Sequence, residues 1–193
     1  MYIVNILQIA IVLSYAVLHE RMAIMSLGFF KGDFIVYGKN GICFIDDVRI
    51  MDFAGEKGEY YVLKPKANSS STLYVPLNNE KLTSRMRPII TKDKIDLILE
   101  NSKIESTEWI DSKNERLEYF NSVVAKADTA ELLLLVCSIY IKKKEKLADG
   151  KHLSTTDETI LKTAERLIEE EFAFALECSN DRAVKYIKDK LGV

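Results

Sequence analysis

The sequence has few of the side chains that most enzymes use for catalysis. Its two histidines, His19 and His152, are far apart, and it contains no glycine-rich loop followed by Lys and Ser or Thr, no GxSxG motif and no HExxH motif. His152 adjoins a predicted helix cap, where a solvated loop position is the expected role. A protein that binds a partner, without catalytic residues, cofactor or metal, is therefore the better-supported class.

The sequence also has few cysteines and a small net charge. The three cysteines, Cys43, Cys137 and Cys178, are odd in number and show no CxxC spacing, so neither a disulfide framework nor a zinc ribbon is expected. The formal net charge of -2 at pH 7 argues against a protein that coats nucleic acid by bulk electrostatics, so any DNA contact must be local. A reducing, cytoplasmic location fits these features best.

Charged residues are absent from the first eighteen positions, which read MYIVNILQIAIVLSYAVL. This run is borderline for the roughly 20 apolar residues that a membrane-spanning helix needs. Three interpretations remain open: a signal anchor, a packed amphipathic helix, or a leader translated from a start codon placed too early, with Met22 or Met25 as the true start. We favour the last and treat residues 1–28 as a separate apolar leader. If the run spans a membrane, Arg21 and Lys31 lie on its C-terminal side, and the positive-inside rule then keeps the remainder cytoplasmic.

From residue 29 onward the sequence contains short segments that are typical of strands. They are rich in aromatic and β-branched residues and are separated by turns that contain Gly, Asn and Ser. The predicted strands are FIVY (34–37), GICFIDDVRI (41–50), EYYVLK (59–64) and TLYVP (72–76). Four or five antiparallel strands in about fifty residues predict a small, strongly bent sheet or barrel.

After Arg87-Pro88 the pattern becomes helical. Thr91 is the predicted cap of a helix whose Ile95, Ile98 and Leu99 share one face. Further helices are predicted to begin at Asp128, at Ser154, and at Asn180 or Asp181. The expected fold is therefore α+β, with a sheet domain at residues 29–90 and a helical domain at residues 91–193.

The order of these signals resembles the CarD/CdnL family of bacterial transcription regulators. The resemblance rests on Phe30-Lys31-Gly32-Asp33, Val36-Tyr37, Glu59 to Lys64, Leu73 to Pro76 and Arg87-Pro88, in this order and at this spacing. A Trp soon after the first helix, the segment LLLLVCSIYIKKKE and the Leu-Ser cap of LSTTDETILKTAERLIEEEFA agree with it. The resemblance implies a Tudor-like (SH3-like) antiparallel β-barrel, similar to the RNA-polymerase-interacting domain of the transcription-repair coupling factor, followed by an all-helical domain.

The resemblance also implies that the first domain docks on the RNA polymerase β subunit. In the family this contact uses the edge of the barrel, where main-chain bonds and flanking side chains provide the affinity. Family contact positions fall on Arg49, Met51 and Tyr74 of this sequence. Better-known members carry arginines at the positions of Met51 and Tyr74, so the interface expected here is more apolar or uses Arg49 instead.

Trp109, the only tryptophan, receives a role at promoter DNA from the same resemblance. In the family a tryptophan at this point wedges into the minor groove at the upstream edge of the melted promoter and holds the bubble open. Composition alone favours a buried Trp109, as the first member of a helical stripe that continues to Phe120 and Val124. If the helix instead begins at the capping box of residues 112–115, Trp109 lies on the preceding turn and is free to project.

Positive charge near Trp109 is thin. Relatives carry arginines and a lysine directly after the Trp, where this sequence has Asp111, Ser112 and Asn114. Fifteen Lys and Arg face eighteen Asp and Glu between residues 101 and 193, so binding to free DNA is expected to be weak. The candidate DNA contacts besides Trp109 are Lys113, Arg116, Lys142, Lys143 and Lys144. For the lysine cluster, neutralising a helix C-terminus is at least as strong an interpretation.

The sequence therefore predicts a monomeric, non-enzymatic transcription regulator that docks on RNA polymerase and stabilises the open promoter complex through Trp109. One alternative is a polymerase-binding adaptor that makes no contact with DNA. Another is a membrane-anchored cytoplasmic interaction protein that uses residues 1–18 as its anchor.

Overall fold

The computed structural model describes residues 28–53, 56–101 and 109–191 and shows an antiparallel sheet followed by helices, which confirms the α+β class. The strands are β1 (Phe34–Tyr37), β2 (Ile42–Phe53), β3 (Glu56–Pro65), β4 (Leu73–Pro76) and β5 (Met86–Pro88). The leader predicted for residues 1–28 lies, apart from Gly28, outside the described residues. None of the helices within those residues combines the length and apolar character that crossing a membrane requires.

The five strands form one sheet in the order β4-β3-β2-β1-β5, and each neighbouring pair is antiparallel. A register shift between Ile45 and Asp47 of β2 leaves Asp46 as a β-bulge, which bends the strand and increases its twist. No pairing joins β4 to β5 in the described part of the chain, so the sheet has two edges and is not closed. The closed barrel implied by the resemblance is therefore not confirmed.

Side-chain alternation gives the sheet an inner and an outer face. The inner face holds the apolar core of the sheet, which consists of Ile35, Tyr37, Cys43, Ile45, Tyr61, Leu63, Val75 and Met86. On the outer face, Val36 joins the core of the helices, while the end of the β2–β3 hairpin stands clear of them. The inner face therefore packs on the core of the sheet itself. One half of the outer face packs against the helices, and the other half, at the end of the β2–β3 hairpin, is exposed.

The helices after residue 90 begin close to the predicted caps, whereas the short helix before β5 was not predicted. The helices of the described residues are α1 (Glu80–Thr83), α2 (Lys92–Asn101), α3 (Lys113–Lys126), α4 (Thr129–Ala148), α5 (Thr155–Ala175) and α6 (Asn180–Leu191). Asp128 accepts hydrogen bonds from the main-chain N–H groups of Ala130 and Glu131, and Ser154 accepts one from that of Asp157. These two predicted N-caps are confirmed, since each satisfies N–H groups that have no partner inside its own helix.

The turn between β1 and β2 packs directly against the helices. Gly38 has a φ of 47°, and a Cβ added to it would lie 2.7 Å from the main-chain oxygen of Ala125 in α3. Gly41 has a φ of 68°, and its Cβ would lie 3.0 Å from Oε2 of Glu170 in α5. Glycine is needed at both positions because the backbone is left-handed and a helix occupies the space of a side chain.

A partly buried ion pair joins the sheet to the helices. Arg87 of β5 donates to both carboxylate oxygens of Glu171 in α5, at 2.5 and 2.7 Å, and to the main-chain oxygen of Ala127. Glu171 is 2% exposed and also accepts from Thr129 Oγ1 and from the main-chain N–H of Ile90. Several donors therefore surround a carboxylate that has left water, and these bonds hold the sheet and helices in one arrangement.

Candidate functional site

The three predicted docking residues lie on one face of the sheet. Arg49 and Met51 alternate on β2, and Arg49 pairs across the ladder with Tyr60 of β3. Tyr74 of β4 pairs with Val62, which shares its face of β3 with Tyr60. Because paired residues point to the same side, Arg49, Met51 and Tyr74 all belong to the open half of the outer face.

Two aromatic residues that the sequence analysis did not single out complete this group. The ring of Phe53 packs edge-on against Tyr60, with centroids 5.0 Å apart, and lies 5.4 Å from the ring of Tyr74. Phe53 is 42% exposed and Tyr74 is 41% exposed. We name Arg49, Met51, Phe53, Tyr60 and Tyr74 the outer aromatic patch.

The other side of the hairpin that carries the patch is mainly polar, because Asp52, Lys57 and Glu59 share that face with Ile50. Ile50 lies on the opposite face of β2 and is 58% exposed. Apolar side chains that are exposed together, as in the outer aromatic patch, are typical of an interaction site. Beside it, β4 forms an edge of the sheet in the described residues. The end of the hairpin and this edge therefore form one continuous candidate docking site.

Trp109 is partly buried and lies directly before α3. Its ring meets Phe120 edge-on, with centroids 5.9 Å apart, and packs at the margin of the helical core. The helix begins at Lys113 with Ser112 as N-cap, although the Ser112 side chain makes no capping hydrogen bond within the described residues. Trp109 thus occupies the segment before the helix, as the capping-box alternative predicted, and it is partly buried, whereas composition alone favoured full burial.

Two cations lie over the Trp109 ring. The guanidinium carbon of Arg116 is 4.7 Å from the ring centroid, and Nζ of Lys142 in α4 is 5.8 Å from it. Both distances are within the range of cation–π attraction. The structure therefore brings together three of the predicted DNA contacts, Trp109, Arg116 and Lys142. Arg116 is buried, whereas Lys142 is partly exposed.

Arg116 was predicted to contact DNA, and in the structure its side chain is turned toward acceptors inside the protein. It is 7% exposed, and Nε and Nη2 donate to Asp157 of α5 at 3.2 and 3.3 Å. Nη1 donates to the main-chain oxygens of Ile110 and Asp111. All three nitrogens of Arg116 therefore donate to acceptors inside the protein, and its contact with DNA stays a prediction. The sequence carried no local signal for this, because Asp157 is forty-one positions away.

The four lysines differ in their surroundings. Lys113 and Lys144 are exposed, whereas Lys142 and Lys143 are partly buried. Lys142 pairs with Glu145 at 3.0 Å and lies beside Trp109. In the last turn of α4 the basic residue is Lys146, so the helix-dipole interpretation applies to it more than to the three preceding lysines. Their contact with DNA stays a prediction.

Lys143 has an aromatic neighbour whose protonation is fixed. Its Nζ lies 5.9 Å from the centroid of the Tyr140 ring. The hydroxyl of Tyr140 donates to Glu165, and this bond together with burial raises the pKa of Tyr140 to about 12. The phenol therefore stays neutral at physiological pH, and Lys143 lies against an uncharged ring.

The described residues contain no group of three or more His, Cys, Asp or Glu side chains placed to hold a metal ion. Cys43 lies in the core of the sheet, where burial raises the pKa of its thiol to about 12, and burial also raises the pKa of Cys137. Thiols are nucleophiles and metal ligands in their deprotonated form. These two cysteines therefore act as apolar packing residues.

The exposed hairpin on the sheet and the cation-flanked tryptophan on the helices are the two candidate surfaces of the described residues. Residues 29–90, about a third of the chain, match the model of the family described as the CarD-like/TRCF RID domain, so this part of the chain is similar to that family. Domains of this family interact with RNA polymerase and are not catalytic. No curated protein matches the chain. The helices after residue 90 lie outside the family match.

Proposed function

We propose that this protein is a transcription regulator that docks on the RNA polymerase β subunit and stabilises the open promoter complex through Trp109. The observation that carries the proposal is the match of residues 29–90 to a polymerase-interacting domain family. We further propose that it acts as a cytoplasmic monomer and that the curled sheet is Tudor-like. The bulge in β2 and the single buried core on the inner face support this last point.

The outer aromatic patch is the proposed docking surface. Methionine, tyrosine, phenylalanine and arginine are enriched where proteins bind one another, and all four residue types occur in the patch. Met51 and Tyr74 occupy positions where better-known relatives carry arginines. The contact is therefore proposed to gain its affinity mainly from apolar burial, with Arg49 as the charge within the patch.

The second surface is proposed to act on DNA that the polymerase has already opened. An apolar ring inserts at a base step at lower cost when that step is distorted beforehand. Lys142 lies beside the ring, where it is suited to contact a phosphate. Because the protein would bind the open promoter better than the closed one, it would shift that equilibrium by its differential affinity alone.

Docking is tested by binding of the full chain to RNA polymerase. We expect Phe53→Ala combined with Tyr74→Ala to weaken binding by about a hundredfold, the effect of losing an aromatic anchor at the centre of an interface. Tyr119→Ala is the matched control, because Tyr119 is an equally exposed aromatic residue, at 43%, on a helix. Absence of binding by the wild type, or equal loss in both variants, would contradict the proposed docking.

The DNA contact is tested by the lifetime of the open promoter complex in the presence of wild type and Trp109→Ala. The variant is expected to shorten the lifetime while its affinity for polymerase alone stays unchanged. Equal lifetimes combined with normal docking would favour the adaptor that makes no contact with DNA.

A further inference from the structure

A buried ion pair lies directly beneath the segment that carries Trp109. Arg116, in the first turn of α3, faces Asp157, in the first turn of α5, through two parallel hydrogen bonds of 3.2 and 3.3 Å. The Arg116 side chain is 8% exposed and that of Asp157 is 1% exposed. The pair therefore joins two helices that are far apart in the sequence, and it does so in a place that solvent barely reaches.

The same guanidinium also holds the residues that follow Trp109. Its Nη1 donates to the main-chain oxygen of Ile110 at 2.8 Å and to that of Asp111 at 3.1 Å. Its carbon lies 4.7 Å from the centroid of the Trp109 ring. One side chain thus contacts both the backbone and the ring of the segment, so the direction of Trp109 depends on where Arg116 is held.

Asp157 is itself fixed by the cap of its helix. The hydroxyl of Ser154 donates to the Asp157 carboxylate at 2.7 Å and accepts from the Asp157 main-chain N–H at 3.1 Å. Contacts therefore run without interruption from Trp109 through Arg116 and Asp157 to Ser154, at the start of the longest helix of the described chain.

Stability alone is a weak reason to keep such a pair. Removing two charges from water is expensive, and well-packed apolar residues of similar size often stabilise a fold equally well. A planar arginine fork, by contrast, accepts only a narrow range of geometries. What Arg116 and Asp157 provide beyond an apolar contact is a defined direction for the segment they hold.

We propose that Arg116 is a positioning residue that fixes the orientation of Trp109, with Asp157 as its support. A side chain that is oriented beforehand loses less conformational freedom on binding, so its affinity for the opened promoter is higher. The consequence at DNA rests on the proposed function, whereas the positioning itself is a property of the free protein and is measured there.

The single tryptophan makes the positioning directly observable, because all tryptophan fluorescence of the chain comes from Trp109. We expect Arg116→Lys, which keeps the charge but loses the fork, to shift the emission to longer wavelength and to increase quenching by acrylamide. Asp157→Asn is expected to produce the same shift by removing the support. Arg87→Lys is the matched control, since it breaks a second arginine–carboxylate pair between distant elements, with Glu171, and leaves the contacts of Trp109 intact.

Circular dichroism and thermal unfolding identify the temperatures at which each variant is folded, and fluorescence is compared only there. If Arg116→Lys does not fold, the emission and quenching of Trp109 are measured in Asp157→Asn and Ser154→Ala instead. Unchanged emission and quenching in the folded variants would overturn the proposal. A shift of equal size in Arg87→Lys would also overturn it, because the effect would then follow from general loosening.

Open-complex lifetimes then separate positioning from direct contact. Arg116→Lys is expected to shorten the lifetime when Trp109 is present and to have no further effect in a Trp109→Ala background. A shortening that persists undiminished without Trp109 would mean that Arg116 acts on DNA itself, contrary to the proposal. If Trp109→Ala has no effect on the lifetime, the proposed function fails, and fluorescence alone still decides whether Arg116 positions the ring.

Discussion

The two halves of the outer sheet face share one alternation pattern and have opposite surroundings. In the half formed by β1 and β5, Val36 is 2% exposed within the core of the helices, and Arg87 reaches Glu171. In the half formed by the β2–β3 hairpin and β4, the aromatic rings of Phe53 and Tyr74 remain exposed. The alternation of a strand therefore determines which side chains share a face, while the rest of the chain determines whether that face stabilises the fold or remains free to bind.

The half of the outer face formed by β1 and β5 is the covered half, because the helices pack on it. The largest expected effect on stability comes from removing the arginine of its ion pair. Arg87→Ala leaves the Glu171 carboxylate buried without its cation, so we expect a loss of about 3–5 kcal/mol in the free energy of unfolding. Chemical denaturation measures it. The control is Glu170→Ala, which removes the neighbouring pair with the more exposed Arg166 and should cost about 0.5 kcal/mol. Equal losses in the two variants would show that the covered half is not held by this pair.

The next largest effect on stability is expected in the turn between β1 and β2, which packs against α3 beside the covered half. Gly38→Ala combines a left-handed backbone with a clash against Ala125, and we expect it to cost more than about 2 kcal/mol of stability. Gly150→Ala is the control, because its φ of 69° gives similar strain and no atom lies within 4 Å of the added Cβ. Its cost should be about 1 kcal/mol. A smaller cost at Gly38 than at Gly150 would contradict the close approach of turn and helix.

A direct comparison of the two halves comes from truncating one apolar side chain in each. Val36→Ala should cost about 2 kcal/mol, because it removes buried methyl groups and leaves a cavity. Phe53→Ala removes a larger but exposed side chain, and we expect a change within about 0.5 kcal/mol. Thermal unfolding of the two variants measures both values. If Phe53→Ala destabilised the fold as much as Val36→Ala, the patch would belong to the core and not to a docking surface.

The smallest expected effect concerns Arg49, the charge of the outer aromatic patch. Because the proposed contact is mainly apolar, Arg49→Ala should weaken polymerase binding only about threefold at low salt, with less difference at high salt. Binding titrations at two salt concentrations measure this change. A loss as large as that of the Phe53 and Tyr74 double variant would instead indicate that charge dominates the contact.

Local sequence patterns predicted most elements of the fold, because caps and strand alternation act over a few residues. β1 and β4 lie where FIVY and TLYVP predicted them, and the helices beginning after Asp128 and Ser154 have the predicted caps. The predicted β2 ended at Ile50, three residues early, so Phe53 was not recognised as a neighbour of Met51. Alternation continued to Phe53, and this signal was available to find it.

The contacts that define the site most closely were beyond local pattern. Arg87 and Glu171 are 84 positions apart, and Arg116 and Asp157 are 41 positions apart. Nothing in the neighbourhood of either arginine distinguishes a buried partner from a phosphate contact. The assignment of Arg116 therefore required the packing of α3 against α5, which only the folded chain shows.

The bonds around Glu171 have a consequence for where the protein acts. They connect β5, the residue after α3, the start of α4 and the C-terminal part of α5 through one carboxylate and its arginine. The span between the outer aromatic patch and Trp109 is thereby set by the fold. With the patch seated on polymerase, Trp109 would reach the promoter at a fixed distance from that seat. The position of the contact on DNA would then depend on the distance between the two surfaces of the protein and not on recognition of the base sequence.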